Sequence, residues 1–260
     1  VHVALGGRVA PVGIGHTVEA HEVVGMIGPN GAGKTTLFDV ISGYVKPTSG
    51  AIRVAGVDCS GLSPDARARA GLTRSFQNAR LFPALTVREN IAVALERRLS
   101  SRSAIAAAAW LPQVQRSERR VRRRVDYLID LMHLDAFADK FARELSTGSR
   151  RLVDIACIMA AEPKVLLLDE PSSGLAQSEV EVFAPVVRRL AKETGCGVVV
   201  IEHDIPLVTS LSDRLIAVRL GAVLCEGAPA DVIADPEVVR SYLGASDATI
   251  NRSGALAGLL

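Results

Sequence analysis

Three glycines precede a lysine and two threonines in the stretch "GPNGAGKTT", which ends at Thr36. Gly28, Gly33, Lys34 and Thr35 have the spacing G-x-x-x-x-G-K-[ST], between a strand-like run and a helical pattern. Glycines let successive backbone amides point inward, the lysine reaches outer phosphates, and the threonine hydroxyl can ligate Mg²⁺. The stretch therefore predicts a triphosphate site and not an ordinary glycine-rich turn.

A pair of carboxylates follows the apolar run in "KVLLLDEP". Parallel sheets bind ligands at the carboxyl ends of their strands, so Asp169 is placed to hold the Mg²⁺ shell and Glu170 lies nearer the last phosphate. Such a pair can also cap a turn. With a phosphate loop in the same chain, we prefer a hydrolytic interpretation, in which Glu170 orients and deprotonates the attacking water.

The elements that must position these residues form an α/β pattern. The runs "KVLLL" and "GVVVI" are apolar without alternation, as in central strands covered on both faces, and helical patterns separate several of the runs. Strands are predicted at Val23 to Ile27, Ala51 to Ala55, Val165 to Leu168, Val198 to Ile201, Leu215 to Val218 and Ala222 to Cys225.

The segment between about Phe76 and Thr147 changes to helical patterns, which predicts an all-helical insert. Its last pattern has an apolar stripe with steps of three and four residues, formed by Val121, Val125, Leu128, Ile129 and Met132. The arginines around the stripe, at 116, 119, 120 and 122–124, lack interleaved aromatic residues. We interpret them as a solvated helix face and not as a nucleic-acid or lipid patch.

Composition excludes several classes of protein. The 260 residues carry 30 Lys+Arg and 28 Asp+Glu, so the formal charge of +2 does not favour nucleic acid as a partner. The four cysteines lack the paired spacing of a zinc or redox site and are expected to be reduced. No apolar run approaches the roughly 18 residues of a membrane span, and no secretory signal is recognised. Because the chain starts at Val1 without a methionine, we expect a piece of a longer polypeptide.

Six motifs occur in an order that resembles one family across about Gly6 to Gly244. "GPNGAGKTT" resembles the Walker A motif, "SFQN" the Q-loop, "LSTGS" the signature, "VLLLDEP" the Walker B motif, "SSGLAQ" the D-loop and "IEHD" the switch histidine. By these motifs the chain is identified as a member of the nucleotide-binding subunits of ATP-binding cassette (ABC) transporters.

The transported substrate is less closely indicated. The phrases "LTRSFQNARLFPALTVRENIAVA" and "IEHDIPLVTSLSDRLIAVRLGAVLCEGAPADVIADPEVVRSYLG" are most similar to ATPases for branched-chain amino acid uptake. Lipopolysaccharide-export ATPases share several of these phrases. A weakly catalytic regulatory ATP-binding module and a soluble ATPase acting on ribosomes or DNA are further alternatives.

The resemblance implies a P-loop NTPase fold: a RecA-like mixed sheet flanked by helices, with an antiparallel β edge and an inserted all-helical subdomain. Residues 1–75 and 148–244 would form the ATP-binding core. Residues 76–147 would form the helical subdomain that carries the Q-loop and leads to the signature, and 245–260 a frayed tail.

The resemblance also implies ATP and Mg²⁺ as ligands. The expected catalytic residues are Glu170, His203 and Lys34. The expected magnesium site consists of Thr35, Gln77 and Asp169. The nucleotide site would comprise Gly28, Asn30, Gly31, Ala32, Gly33, Lys34, Thr35, Thr36, Gln77, Ser146 and Gly148.

The family mechanism requires partners. Two cassettes close head to tail, identical or different, so that the signature of each faces the phosphate loop of the other. An integral membrane permease, and indirectly a substrate-binding protein, would complete the transporter, with this chain peripheral on the cytoplasmic face of the inner membrane. We expect docking through residues 78–90, with Leu81, Phe82 and Leu85, although these side chains could equally be insert core.

Four residues depart from the family pattern. Thr147 and Ser149 replace the usual Gly and Gln of the signature, and Thr147 is tolerable only at negative φ. Ala176 replaces an Asp of the D-loop, which puts cooperativity between the two sites in doubt. Leu5 replaces the aromatic residue that stacks on adenine, at a cost of about 1 kcal/mol. We expect a working but retuned site.

Overall fold

The computed structural model describes residues 3–5, 8–10, 15–75, 81–96 and 112–243, with side chains for 15–75, 81–96 and 118–242. Gln77 and the predicted tail 245–260 lie outside these residues. Two compact units can be distinguished. The first comprises the described residues of Val1–Gln77, Pro163–Ser173 and Val180–Leu260, and the second those of Asn78–Glu162 and Gly174–Glu179. The helical unit thus extends past the predicted boundary at 147, because the helix that follows the signature packs among its helices.

The first unit contains a six-stranded sheet. Its order is β10-β9-β3-β8-β7-β6, all parallel except the edge strand β10, which is antiparallel to β9. These strands are β3 (Val23–Ile27), β6 (Leu72–Ser75), β7 (Val165–Asp169), β8 (Gly197–Ile201), β9 (Arg214–Arg219) and β10 (Ala222–Gly227). Two antiparallel hairpins accompany it, formed by β1 (Val3–Leu5) with β2 (Arg8–Ala10) and by β4 (Arg53–Val54) with β5 (Val57–Asp58). The predicted mixed sheet with an antiparallel edge is confirmed.

The central strands form because apolar runs gain most when both faces are covered. Every residue of β3 and β8 is buried, as are the last four of β7. The strand β6 was missed by the sequence analysis, because "LTRS" has a single apolar residue and so lacks the apolar run or the alternation that predicts a strand. The predicted strand at Ala51 to Ala55 shortens to Arg53–Val54.

Helices cover the sheet and form the second unit. Among the described residues they are α1 (Lys34–Ser42), α2 (Pro64–Arg69), α3 (Val87–Leu95), α4 (Pro112–Leu131), α5 (Thr147–Met159), α6 (Gln177–Thr194), α7 (Ile205–Leu211), α8 (Pro229–Ala234) and α9 (Pro236–Leu243). None of the described helices is long and apolar enough to cross a membrane. All four cysteines are free, as predicted.

In the second unit α3 packs against α4 and α5. The predicted stripe of α4 is mostly inward: Val125, Leu128, Ile129 and Met132 are buried, and Val121 is partly buried. The arginines at 119, 120, 122 and 123 are exposed and Arg124 is partly buried, so these side chains form the predicted solvated face. The side chain of Arg116 is outside the described residues.

Candidate active site

One edge of the sheet brings together the segments that the sequence analysis singled out. The strands β3, β8 and β7 are parallel neighbours, so their carboxyl ends lie side by side. The phosphate loop follows β3, Asp169 ends β7, and His203 comes two residues after β8. Three segments that are far apart in the chain therefore meet where ligands bind in open α/β sheets.

The phosphate loop has the backbone that anion binding requires. Gly31 and Gly33 have φ angles of 80° and 97°, which glycine adopts without steric cost, and Gly33 is the residue before α1. The amides of the first turn, from Lys34 to Thr36, have no partners within the helix and add to its positive end. Beneath the loop, the Gly221 N–H donates to the Ala32 carbonyl at 2.9 Å.

Lys34 is folded back onto this loop. Its Nζ donates to the carbonyl oxygens of Gly28 at 2.6 Å and Pro29 at 3.1 Å, and the side chain is buried. Burial lowers the pKa of Lys34, whereas the carboxylates of Glu170 and Asp169 act in the opposite direction. The ammonium therefore lies at the mouth of the loop, close enough to the acidic pair to interact with it.

The C-terminal helix supports the loop in a way that the motifs did not indicate. Tyr242 in α9 packs against the apolar cluster that contains Ile27, the last residue before the loop. Burial raises the pKa of Tyr242 to about 12, opposed by the backbone amide of Gly28. Because a lone tyrosine near the end of a chain carries no motif, only the tertiary packing reveals this role.

Asp169 is paired with an arginine that sequence reasoning missed. Arg74 in β6 donates from Nη2 to Asp169 Oδ2 at 2.5 Å and from Nη1 to Asp39 Oδ1 at 2.6 Å. The side chains of Arg74 and Asp169 are only 9% and 7% exposed. The guanidinium therefore neutralises a carboxylate that burial would otherwise destabilise.

Glu170 and His203 face each other at the end of the sheet. His203 Nε2 lies 3.1 Å from Glu170 Oε1, and both side chains are about one-third exposed. Glu170 has φ of 47°, an uncommon angle for a residue other than glycine. Its backbone N–H donates to the Ile201 carbonyl at 2.9 Å, which holds this conformation and aims the carboxylate out of the sheet. Strained residues of this kind concentrate at functional sites.

Glu202, which precedes the histidine, is a second residue without a predicted role. Its carboxylate is buried and accepts from the backbone N–H groups of Ser172 at 2.8 Å and His203 at 3.1 Å. Burial raises the pKa of Glu202, and the hydrogen bonds from Ser172, His203 and Asp204 oppose that rise. Glu202 thus ties the turn after the acidic pair to the segment that carries His203. The sequence signal that could have indicated Glu202 was its position in "IEHD", next to the predicted switch histidine.

The pentapeptide "LSTGS" begins a helix. Ser146 caps α5 by accepting the Ser149 N–H at 3.2 Å, and Thr147 is the first helical residue, so the required negative φ is met. Ser146 and Thr147 are exposed, whereas Gly148 is buried. The capping serine is the residue type that most often starts a helix.

Glu179 covers Gly148 and was also missed. Its Oε1 accepts the Gly148 N–H at 3.1 Å and its Oε2 accepts the Ala176 N–H at 3.0 Å. The Ser146 hydroxyl, followed by the Ala176 amide, holds the pKa of Glu179 below its usual value. A Cβ on Gly148 would lie 2.6 Å from Glu179 Cδ, so a larger residue here would require the Glu179 carboxylate to move. Ala176 itself is exposed and contributes no charge.

The donors at the sheet edge fit a magnesium ion. Mg²⁺ prefers carboxylate, hydroxyl and water oxygens, and the structure offers the Asp169 carboxylate and the exposed Thr35 hydroxyl in the first turn of α1. Gln77, the third predicted ligand, is outside the described residues, as is the Leu5 side chain. Leu5 ends β1.

Comparisons with known proteins agree with this geometry. The model of the ABC transporter family matches residues 13–173, and a model described as a branched-chain amino acid ATP-binding cassette transporter matches 222–248.

Individual relatives extend the similarity to nearly the whole chain. The branched-chain amino acid transport ATP-binding protein BraF of Pseudomonas aeruginosa is 39% identical over 92% of this chain and 93% of its own. The lipopolysaccharide export ATP-binding protein LptB of Haemophilus influenzae is 36% identical over 88% of each. The ADP conformation of MJ1267, an ATP-binding cassette of an ABC transporter, has a TM-score of 0.77 at 27% identity and covers 94% of this chain and 96% of its own.

We expect Glu202→Ala to lower the free energy of unfolding by about 1–3 kcal/mol, because the buried Ser172 N–H loses its acceptor. Glu202→Gln should cost less, since an amide oxygen still accepts. Urea unfolding at fixed pH measures both. Equal stability of Glu202→Ala and the unchanged protein would contradict the anchoring role.

The difference in stability between the unchanged protein and Glu202→Gln should depend on pH. Because the folded pKa of Glu202 is raised, the stability associated with its neutral form is present below the unfolded value of about 4.5 and is lost as pH rises through the folded pKa. The advantage of the unchanged protein over Glu202→Gln should therefore be largest below the unfolded pKa and shrink as the pH rises above it. A pH-independent difference would show that this carboxyl does not titrate as described.

Proposed function

This chain belongs to the ABC transporter family of ATP-binding cassettes, and we propose that it hydrolyses ATP to drive import of branched-chain amino acids through a membrane permease. The observation that carries the hydrolytic part is the meeting of the phosphate loop, Asp169, Glu170 and His203 at one sheet edge. A binding module without chemistry would not need the acidic pair and the histidine in contact.

Each of the described site residues would have its own role in hydrolysis. Lys34 would exchange its carbonyl acceptors for the outer phosphates, which the amides from Asn30 to Thr36 also bind. Glu170, aimed outward, would orient the attacking water and accept its proton, and His203 would bind the terminal phosphate and fix the direction of Glu170. Mg²⁺, held by Thr35, Asp169 and the predicted ligand Gln77, would neutralise charge on the phosphates.

The signature would act on a nucleotide held by a second cassette. Ser146 is exposed and carries a hydroxyl at the N-terminus of α5, a 13-residue helix whose dipole favours an anion there. Thr147 and Ser149 are accommodated in this turn without strain, which supports a working signature. The donors would therefore complete the site of a partner that approaches head to tail, whether identical or not.

The choice of substrate rests on the C-terminal region. The match at 222–248 covers β10, α8 and α9, and BraF, whose name states branched-chain amino acid transport, is similar over 92% of this chain. The lipopolysaccharide-export relatives are 33–36% identical to this chain, below the 39% of BraF, so we prefer amino acid import. The substrate would reach the permease through a separate binding protein, and this chain would lie on the cytoplasmic face of the membrane.

The second unit offers a surface for the permease. Phe82 is 56% exposed, and Val93 and Phe141 are each more than one-third exposed, which is unusual for large apolar side chains. Asn90 fixes the loop that presents Phe82, because its side chain bonds both the N–H and the C=O of that residue. The exposed Phe82 on this anchored loop supports the predicted docking through residues 78–90, of which the structure describes 81–90.

Glu170→Gln should keep nucleotide binding and lower turnover about a hundredfold or more, because a positioned general base contributes roughly 10² to 10⁴ in rate. Steady-state phosphate release and equilibrium binding of ATP measure the two effects. Glu181→Gln, at an exposed position of α6, is the matched control and should hydrolyse normally. Near-normal hydrolysis by Glu170→Gln would contradict the assignment of the base.

Ser146→Arg should abolish hydrolysis and leave ATP binding to the monomer unchanged, because the added bulk and charge stand where a partner's phosphate would bind. Ser146→Ala is the control: like Ser146→Arg it removes the helix cap, which is worth about 1 kcal/mol, but it adds no bulk or charge. It should therefore reduce hydrolysis without abolishing it. Normal hydrolysis by Ser146→Arg would show that the pentapeptide takes no part in the site.

Phe82→Ser should reduce uptake of radiolabelled leucine in cells that coexpress this chain with its permease, while the ATPase activity of the purified chain stays unchanged. Val182→Ser, in which a 50% exposed valine of the first unit is replaced, is the control and should transport normally. Uptake that is independent of this chain would contradict amino acid import, and full uptake with Phe82→Ser would contradict the docking surface.

A further inference from the structure

Arg74 occupies the carboxylate on which the magnesium site depends. Its two terminal nitrogens bind two different acids, Asp169 at 2.5 Å and Asp39 at 2.6 Å. Its guanidinium carbon lies 5.6 Å from the centre of the Phe38 ring, which fixes the side chain from a third direction. A bidentate cation on two acids is stronger and more specific than a surface ion pair.

The two acids belong to the elements that would hold the ligand. Asp169 ends β7, and Asp39 lies in α1 one helical turn after Thr35, on the same helix face. The two predicted magnesium donors that the structure describes are therefore close to Arg74. Asp169 binds its guanidinium directly, and Thr35 lies one helical turn before Asp39, which also binds it. Without a cation between them, the buried Asp169 and the partly exposed Asp39 would repel each other.

We propose that Arg74 is a placeholder for the magnesium ion: it neutralises Asp169 and Asp39 before Mg²⁺ and nucleotide arrive, and it competes with Mg²⁺ for Asp169. The inference rests on the proposed function only in that Mg²⁺ with a nucleotide is the ligand. Arg74 acts through Asp169 and is thus a positioning residue. It keeps the nucleotide-free site folded, and it raises the magnesium concentration at which the site fills.

A structural role alone and a placeholder role differ in how stability responds to ligand. If Arg74 only stabilised the fold, its removal would lower the melting temperature equally with and without Mg²⁺ and nucleotide. If it stands in for Mg²⁺, its removal leaves a carboxylate that the incoming ion can use without competition. The ligand would then restore more stability to the variant than to the unchanged protein.

The test is the melting temperature of purified Arg74→Gln at saturating ADP over a titration of free Mg²⁺. We expect a lower melting temperature without Mg²⁺, a larger rise with it, and a half-maximal Mg²⁺ concentration at least about threefold lower than in the unchanged protein. Arg74→Lys keeps the cation and should require Mg²⁺ within about twofold of the unchanged protein. An equal or smaller rise in Arg74→Gln, or identical behaviour of the Gln and Lys variants, overturns the proposal.

Arg214→Gln is the matched control. Arg214 also joins two acids, Glu22 at 2.9 Å and Glu226. It lies at the start of β9, where the parallel strands begin, and thus away from the carboxyl ends that carry the site. Its loss should lower the melting temperature equally at all Mg²⁺ concentrations.

A second variant keeps the proposal testable if Arg74→Gln does not fold. In Asp39→Asn the guanidinium of Arg74 no longer shares its charge between two carboxylates and should bind Asp169 more strongly. A higher Mg²⁺ concentration should then be needed to fill the site, and an unchanged half-maximal Mg²⁺ concentration overturns the proposal. If the unchanged protein shows no rise with Mg²⁺ and ADP, the proposed function fails, and not this inference.

Discussion

The parallel pairing of β3, β8 and β7 is the constraint on which the site depends. Parallel neighbours end at the same edge, so the segments that leave their carboxyl ends must lie side by side. The phosphate loop, the acidic pair and His203 occupy those three places. Because the strands are buried on both faces, the edge they form is rigid, and rigid placement is the condition that hydrolysis imposes on groups that must act together.

The same edge holds three buried ionisable side chains, and each of them has hydrogen-bond partners within the protein. Lys34 is bound to loop carbonyls, Asp169 to Arg74, and Glu202 to backbone amides. Unpaired, any of these groups would cost several kcal/mol. Two of these partnerships, those of Lys34 and Asp169, involve groups that would also bind the ligand. The interactions that stabilise the free protein therefore set how readily the ligand can replace them.

The signature illustrates how a helix start tolerates substitution. The helix start has a hydroxyl at the cap and a residue without a side chain two positions later, at Ser146 and Gly148, the two features that the proposed role requires. Thr147 and Ser149 lie in the first turn of α5, on either side of the glycine that the Glu179 carboxylate covers. Glu179 satisfies the amide of Gly148, which would otherwise be a buried donor without an acceptor. Departure from a family pattern at such positions does not imply loss of the site.

The sequence alone determined the α/β class, the central strands, the phosphate loop and the residues Lys34, Asp169, Glu170 and His203, because these depend on local spacing and on runs of apolar residues. It did not reveal β6, whose mostly polar residues look like a loop, nor four residues that bind the phosphate-loop, acidic-pair and signature segments, each within its own unit. Arg74, Glu179, Glu202 and Tyr242 each act on a residue that is 30 or more positions away in the chain. Their partners are chosen by strand order and helix packing, which no local pattern encodes, and so only the tertiary structure could assign them.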